Sequence, residues 1–231
     1  MNLSKRSYKK EFLDADNLRF EDIRQNMKEL NFINTWLGGH KISVKGLKQL
    51  AGNKKMISIC EVGCGGGDNL AALARWCRQN NITATLTGID IKKECIDFAE
   101  KNNRSQYASS WIVSDYRKVS FEQKPDIIFS SLFCHHFTNE QLVAQLQWMK
   151  QNSRIGFFIN DLQRHFAAYH SIKWLTGLLS SSYLVKNDAP LSVARGFLKN
   201  EWIELLKKAG ITGCTINWQW AFRYLIVYRH E

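Results

Sequence analysis

Residues 57–70 read ISICEVGCGGGDNL: an apolar run, then four glycines within positions 63–67, then the start of a helical pattern. Glycine loses more backbone freedom on folding than any other residue. Four in five positions therefore mark a place where the backbone itself must come close to something. The run 56–62 is short, apolar and bounded by glycine, which predicts a buried strand. Leu70, Leu73, Ala74 and Cys77 recur at helical spacing after it. Strand, glycine loop and helix N-terminus in that order form a ligand cradle in open α/β sheets.

The rest of the chain repeats the alternation. Strands are predicted at 84–91, 110–116, 126–133 and 154–161, with a helix over 92–102. Another helix opens at Thr138, whose spacing to Gln141 fits a capping box. Strands alternating with helices imply parallel pairing with helices on both faces. Before the first strand, Phe20, Ile23, Met27, Leu30, Ile33 and Leu37 predict a helix over 17–37, stopped by Gly38-Gly39. A second helix is expected from Ser43. Residues 162–186 read as an apolar helical lid with Pro190 in the loop beyond, or as an outer helix of the sandwich. A helix near 200–209 stops at Gly210, and two final strands are expected to pair antiparallel at the sheet edge. The fold class is thus α/β: a mostly parallel seven-stranded sheet with N-terminal helices and a helical lid after strand five. The expected organisation is a helical cap over 1–55 and a main domain over 56–231, with an insertion at about 162–195.

The chain has 231 residues, 45% hydrophobic and 23% charged, which suits an ordinary globular domain. No stretch reaches the roughly 20 apolar residues of a membrane span. The basic start MNLSKRSYKKEF lacks the apolar core of a signal peptide, so a cytoplasmic location is expected. The six cysteines contain no C-x-x-C pair. Cys60 and Cys64 read as free thiols, and no metal is expected. The net charge of +11 is spread along the chain and interleaved with acids. A diffuse charge of this kind reads as a solvated face, so a nucleic-acid partner is not favoured.

Three ligands compete for the glycine loop. A phosphate loop needs G-x-x-x-x-G-K-[ST], which is missing. A dinucleotide loop needs G-x-G-x-x-G, and from Gly63 and Gly65 the third position is Asp68, an acid that a pyrophosphate would meet unfavourably. Glu61 and Asp68 instead suit a positively charged ligand without phosphates.

Glu61-Val62-Gly63-Cys64-Gly65-Gly66-Gly67 resembles the acid-x-G-x-G-x-G loop of the class I S-adenosylmethionine-dependent methyltransferases. The resemblance spans roughly 56–160. It implies a Rossmann-like fold and S-adenosylmethionine as cofactor, with S-adenosylhomocysteine as product. It also implies a cofactor set of Glu61, Gly63, Cys64, Gly65, Gly67 and Asp68 around the loop. By the same resemblance Asp90 and Ile91 sit at the ribose, Asp115 and Tyr116 at the adenine, and Ser131 at the end of strand four. Asp90 could otherwise cap the next helix, and Asp115 could be a turn acid. DIIFSSLFCHHF (126–137) resembles a fourth-strand segment that ends in a histidine beside the methyl-transfer centre, which points to His136 and then His135. A histidine, with a reference pKa of about 6.5, suits removal of a phenolic proton of pKa about 10. NFINTWLGGHKI (31–42) and NDLQRHFAAY (160–169) resemble a bacterial subgroup that methylates quinone-like or polyketide-like small molecules. In the second, helical spacing would put Asp161, Arg164 and His165 on one face, with Tyr169 one turn on. His165 is therefore the third candidate base; the same residues could equally cap and pin the lid.

The expected activity is methyl transfer to a hydroxyl of a small molecule. An RNA methyltransferase and a non-catalytic cofactor-binding module stay open. The sequence leaves the oligomeric state undetermined.

Overall fold

The computed structural model describes residues 2–15, 18–103 and 109–231. Helix α1 (Phe20–Trp36) and helix α2 (Gly39–Ala51) precede strand β1 (Met56–Val62). Then come α3 (Asp68–Gln79), β2 (Thr83–Asp90), α4 (Lys93–Asn103), β3 (Ser109–Val113) and β4 (Ile127–Ser131). The chain continues through α5 (Asn139–Asn152), β5 (Gly156–Leu162), α6 (Phe166–Leu179), α7 (Tyr183–Arg195) and α8 (Lys199–Lys208). It ends in β6 (Thr215–Gln219) and β7 (Arg223–Arg229).

The seven strands form one sheet in the order β3-β2-β1-β4-β5-β7-β6. β1 to β5 run parallel, but β7 pairs antiparallel with β5 and β6 antiparallel with β7. The sheet is therefore mixed rather than mostly parallel. The chain reaches β7 by a tight turn from β6, which permits only antiparallel pairing, and β7 then seats itself against β5.

Strand alternation sorts the core onto two faces. Ile57, Ile59, Ile127, Phe129 and Phe158 point to one face, where α2 supplies Ile42, Leu47 and Leu50. Cys60, Val62, Ile128, Phe157 and Ile159 point to the other, where α5 and α8 bring Leu142, Leu146, Met149 and Trp202. Phe129 and Phe158 stack with centroids 4.7 Å apart. A side chain at Gly46 of α2 would meet the Phe158 ring at 2.6 Å, so this glycine sets how closely α2 lies on the sheet.

Two predicted elements differ. Residue 17, the expected start of the first helix, lies outside the described residues. The second helix begins at Gly39 rather than Ser43, because Gly38 takes the left-handed conformation (φ 75°) and restarts the chain at once. Pro190 lies inside α7, not in a loop. Its ring removes one backbone donor, and an interior proline costs about 3 kcal/mol of helix propensity. Leu184, Val185, Leu191, Val193 and Ala194 are buried around it and keep the helix intact. The capping box at Thr138 is present, with Thr138 and Gln141 each accepting the other's backbone N–H.

Among the described residues no helix is long and apolar enough to cross a membrane. All six cysteines are free.

Candidate active site

The chain builds outward from β1 to β2 and β3, then returns to lay β4 on β1's other side. Connections leave the carboxyl ends of β1 and β4 in opposite directions, and a crevice opens between them, the usual ligand position in such sheets. Here it is a cavity of about 830 Å³, roofed by α1, α6 and α7 and by the N-terminal segment.

The glycine loop forms one wall. Gly63, Gly65 and Gly67 all have positive φ (70°, 51° and 75°). Gly63 and Cys64 donate to the Ile89 carbonyl at 2.8 and 3.1 Å, which ties the loop to the end of β2. Asp90 completes the tie: its carboxylate accepts from Gly65 N and Lys92 N, both at 2.9 Å. Burial raises its pKa, while these two bonds pull the other way. Glu61 is 1% exposed, and its Oε2 has no partner. Burial and the neighbouring Asp68 and Asp90 push it well above the ordinary carboxylate range. Asp68 pairs with His40 Nε2 at 2.6 Å. Cys64 is buried beneath the loop, and Ser131, at the end of β4, accepts from Asn160 at 3.2 Å.

The adenine-side pair divides. Asp115 caps the turn 116–118 and forms an ion pair with Arg117, whose hydrogen bond lowers its pKa. Tyr116 is 6% exposed and packed edge-on against Phe133, Phe137 and Trp148; burial raises its hydroxyl to about 12. Ile91 is exposed at the rim.

The opposite wall carries His135 and His136, in the short turn Cys134–His136 after β4. His135 Nδ1 stands 2.8 Å from Asp161 Oδ1, and His136 Nδ1 stands 3.1 Å from Asp14 Oδ1. Both rings line the cavity. His165 does not join them, which corrects the sequence expectation. It is exposed at the N-cap of α6, accepts from Ala167 N at 3.1 Å, and stacks on Phe222. The face expected from NDLQRH dissolves because β5 runs on through Leu162 and α6 starts only at Phe166. Asp161 points in from the strand, while Arg164 turns to Glu201 at 2.8 Å and to the Gly196 carbonyl, pinning chain segments together.

Several residues of the site carry no signal in the sequence. Glu11 and Asp14 arrive from the N-terminal segment, held by Arg195, which donates to the Lys9 carbonyl at 2.7 Å. Asp188 also accepts from Phe12 N and Leu13 N. Arg223 is fully buried beside the cavity, donates to Asn34 at 3.0 Å, and leaves Nε and Nη1 unpartnered; burial lowers its pKa to about 10.

Burial alone would raise Asp14, but its hydrogen bond to His136, the charge there and Arg195 bring it from 3.8 to about 2. A lowered folded pKa gives stability that is present above the ordinary value and is lost as pH falls through about 2. In acid titration the wild type should lose stability between about pH 4 and pH 2 more steeply than Asp14→Asn. Superimposable urea midpoints over that window would refute the pairing.

The comparisons agree with this geometry. Residues 59–156 match a family model described as a methyltransferase domain. No curated protein matches the chain. Among solved structures, a possible exported protein from Bordetella parapertussis aligns with TM-score 0.63 at 15% identity, covering 83% of this chain and 67% of that one. The plantazolicin methyltransferase BpumL, in complex with SAH, gives 0.61 at 20%, covering 85% and 72%. A SAM-dependent methyltransferase from Aquifex aeolicus gives 0.59 at 15%, covering 92% and 99%. At such identities the likeness to solved structures is one of fold, and the family match covers 59–156, under half of the chain. The acid-led glycine loop at the end of β1 lies within the segment 59–156 that matches a methyltransferase domain.

Proposed function

We propose that the chain binds S-adenosylmethionine in the crevice and transfers its methyl group to a hydroxyl of a small molecule of quinone-like or polyketide-like type. One observation carries this reading: the glycine loop with Asp90 and the pair His135/His136 line a single cavity of about 830 Å³. That volume lies in the upper range of ligand sites and leaves room for donor and acceptor together.

The residues divide the work. Asp68 supplies negative charge near the donor's ammonium and sulfonium, and a cation bound there would draw buried Glu61 back toward its ionised form. Asp90 spends two acceptor positions on Gly65 and Lys92, and a carboxylate has about four, so two remain for the ribose hydroxyls. Ile91, Asp115 and Tyr116 border the adenine side, and Ser131 and Cys64 lie at the strand ends beneath the methionine part. Arg223 offers a buried cation to the donor's carboxylate. Transfer is an in-line displacement: the carbon–sulfur bond breaks with its electron pair going to sulfur, and the carbon–oxygen bond forms. The acceptor's proton goes to His136, or failing it His135. Alignment and exclusion of water are the protein's main contributions.

Calorimetric titration with S-adenosylmethionine, S-adenosylhomocysteine and NAD tests the reading. Micromolar binding of both sulfur compounds, none of NAD, and a loss of at least about tenfold in Asp90→Ala are expected. Failure of both sulfur compounds to bind would overturn it. Success would justify a screen of phenols and hydroquinones as acceptors.

A further inference from the structure

Glu11, His135 and His136 each bring a ligand atom to within 4.8 Å of the others. His135 Nε2 stands 3.6 Å from Glu11 Oε1, and His136 Nε2 stands 3.7 Å from Oε2. The two rings lie side by side, with centroids 4.4 Å apart.

The far sides of the rings fix the chemistry of the near sides. Both Nδ1 atoms face carboxylates, on Asp161 and Asp14. A neutral imidazole so placed carries its proton on Nδ1 and leaves its lone pair on Nε2. Both lone pairs then face the carboxylate of Glu11, which can only accept. Three acceptors turned toward one another repel unless something positive sits among them. The separations exceed the roughly 2.7–3.2 Å of a hydrogen bond. They match two ligand atoms each about 2.1 Å from a shared ion, which stand about 3.4–3.7 Å apart at near-tetrahedral angles. A carboxylate behind each liganding histidine is also the usual support of such sites. Nearby charges leave room for a cation. Glu11, Asp14 and Asp161 outnumber Arg6 and Arg195, and Arg195 comes no closer to Glu11 than 3.9 Å. Ser192 Oγ holds Glu11 Oε1 at 2.7 Å and so fixes its direction.

We propose that Glu11, His135 and His136 form a three-ligand site for a first-row divalent cation, of which zinc best suits two imidazoles and a carboxylate. The site opens to the cavity, so a fourth position faces the acceptor. Such an ion would lower the pKa of an acceptor hydroxyl so that its proton leaves to water; with the ion bound His135 and His136 serve as ligands, and proton removal by His136 applies to the metal-free chain. That use rests on the methyltransferase reading; the binding does not. The proposal departs from the sequence expectation of no metal, which considered cysteine spacing alone.

The test uses the full chain, stripped with chelator, titrated with Co²⁺ by visible absorption and then with Zn²⁺ in competition. S-adenosylhomocysteine is titrated in parallel. One Co²⁺ per chain, displaced by one Zn²⁺, is expected. Asp161→Asn should weaken it by about 10- to 100-fold and Glu11→Gln by more, with S-adenosylhomocysteine affinity unchanged in both. Absence of saturable one-to-one Co²⁺ binding by the wild type overturns the site, and so does Glu11→Gln binding within threefold of it. Cobalt binding without S-adenosylhomocysteine binding would keep the site and sink the methyltransferase reading of the cavity.

Discussion

Gly63→Val should abolish binding of S-adenosylmethionine and cost the fold about 2–5 kcal/mol. Two independent penalties meet at this residue. Its φ of 70° lies in the left-handed region, which a β-branched residue adopts only with strain. A Cβ there would also stand 2.1 Å from Cδ2 of Phe133 and 2.4 Å from Cγ, inside the ring itself. Phe133 packs edge-on against Phe137 at 4.8 Å and against Tyr116, so it can give way only by turning into the cavity it lines. Nor can the backbone swing away without breaking the 2.8 Å bond from Gly63 N to Ile89. The contrast is Gly177 in α6, which is exposed and has nothing within 4 Å of the place a Cβ would take; alanine there should be neutral or stabilise by up to about 1 kcal/mol. Urea unfolding and calorimetry with S-adenosylhomocysteine measure both effects. A Gly63→Val protein with wild-type midpoint and affinity would remove the loop from the site.

The same loop shows what a sequence can disclose. Strand, glycines and helix are local features, and β1 and α3 followed from them, whereas the tie from Gly65 to Asp90 appears only in the structure. So did β4, β5 and the Thr138 cap, whose signals lie within a few residues. The antiparallel β6/β7 pair was legible from composition, but its effect on the sheet was not, because β7's place beside β5 is settled by distant packing. Pro190 misleads for a related reason. Its rule describes the backbone, whereas its helix is held by burial against other elements.

The cavity residues supplied by distant elements were the least legible. Glu11 and Asp14 lie in a stretch that begins basic and polar, and nothing within ten residues marks them as buried. Their positions depend on Asp188 and Arg195, more than 170 residues along the chain. Arg223 reads as an ordinary residue of an edge strand until β7 places it against α1. Helical spacing groups Asp161 with His165, but that period does not apply across the end of a strand. The sequence therefore pointed to the glycine loop, a local feature, far better than to the residues that distant elements bring to the cavity.

That asymmetry sharpens the second large prediction. Once an acceptor is found, His136→Gln assayed in the metal-stripped chain should lower kcat by about 10²- to 10⁴-fold, the range for losing proton transfer in the transition state. Donor affinity should change little, since the ring's hydrogen bond goes to Asp14 rather than to Asp90 or the glycine loop. His135→Gln should be comparably slow, because it also releases Asp161, a carboxylate that His135 holds below its ordinary pKa against the pull of burial. His165→Gln should turn over at close to the wild-type rate: its ring caps α6 and does not line the cavity, although the Phe222 ring it stacks on does. These three variants separate chemistry from fold, since all should bind S-adenosylhomocysteine. Should His136→Gln keep its turnover while His165→Gln loses it, the methyl-transfer centre would lie at the outer end of β5, and the wall built by the turn after β4 would be structural.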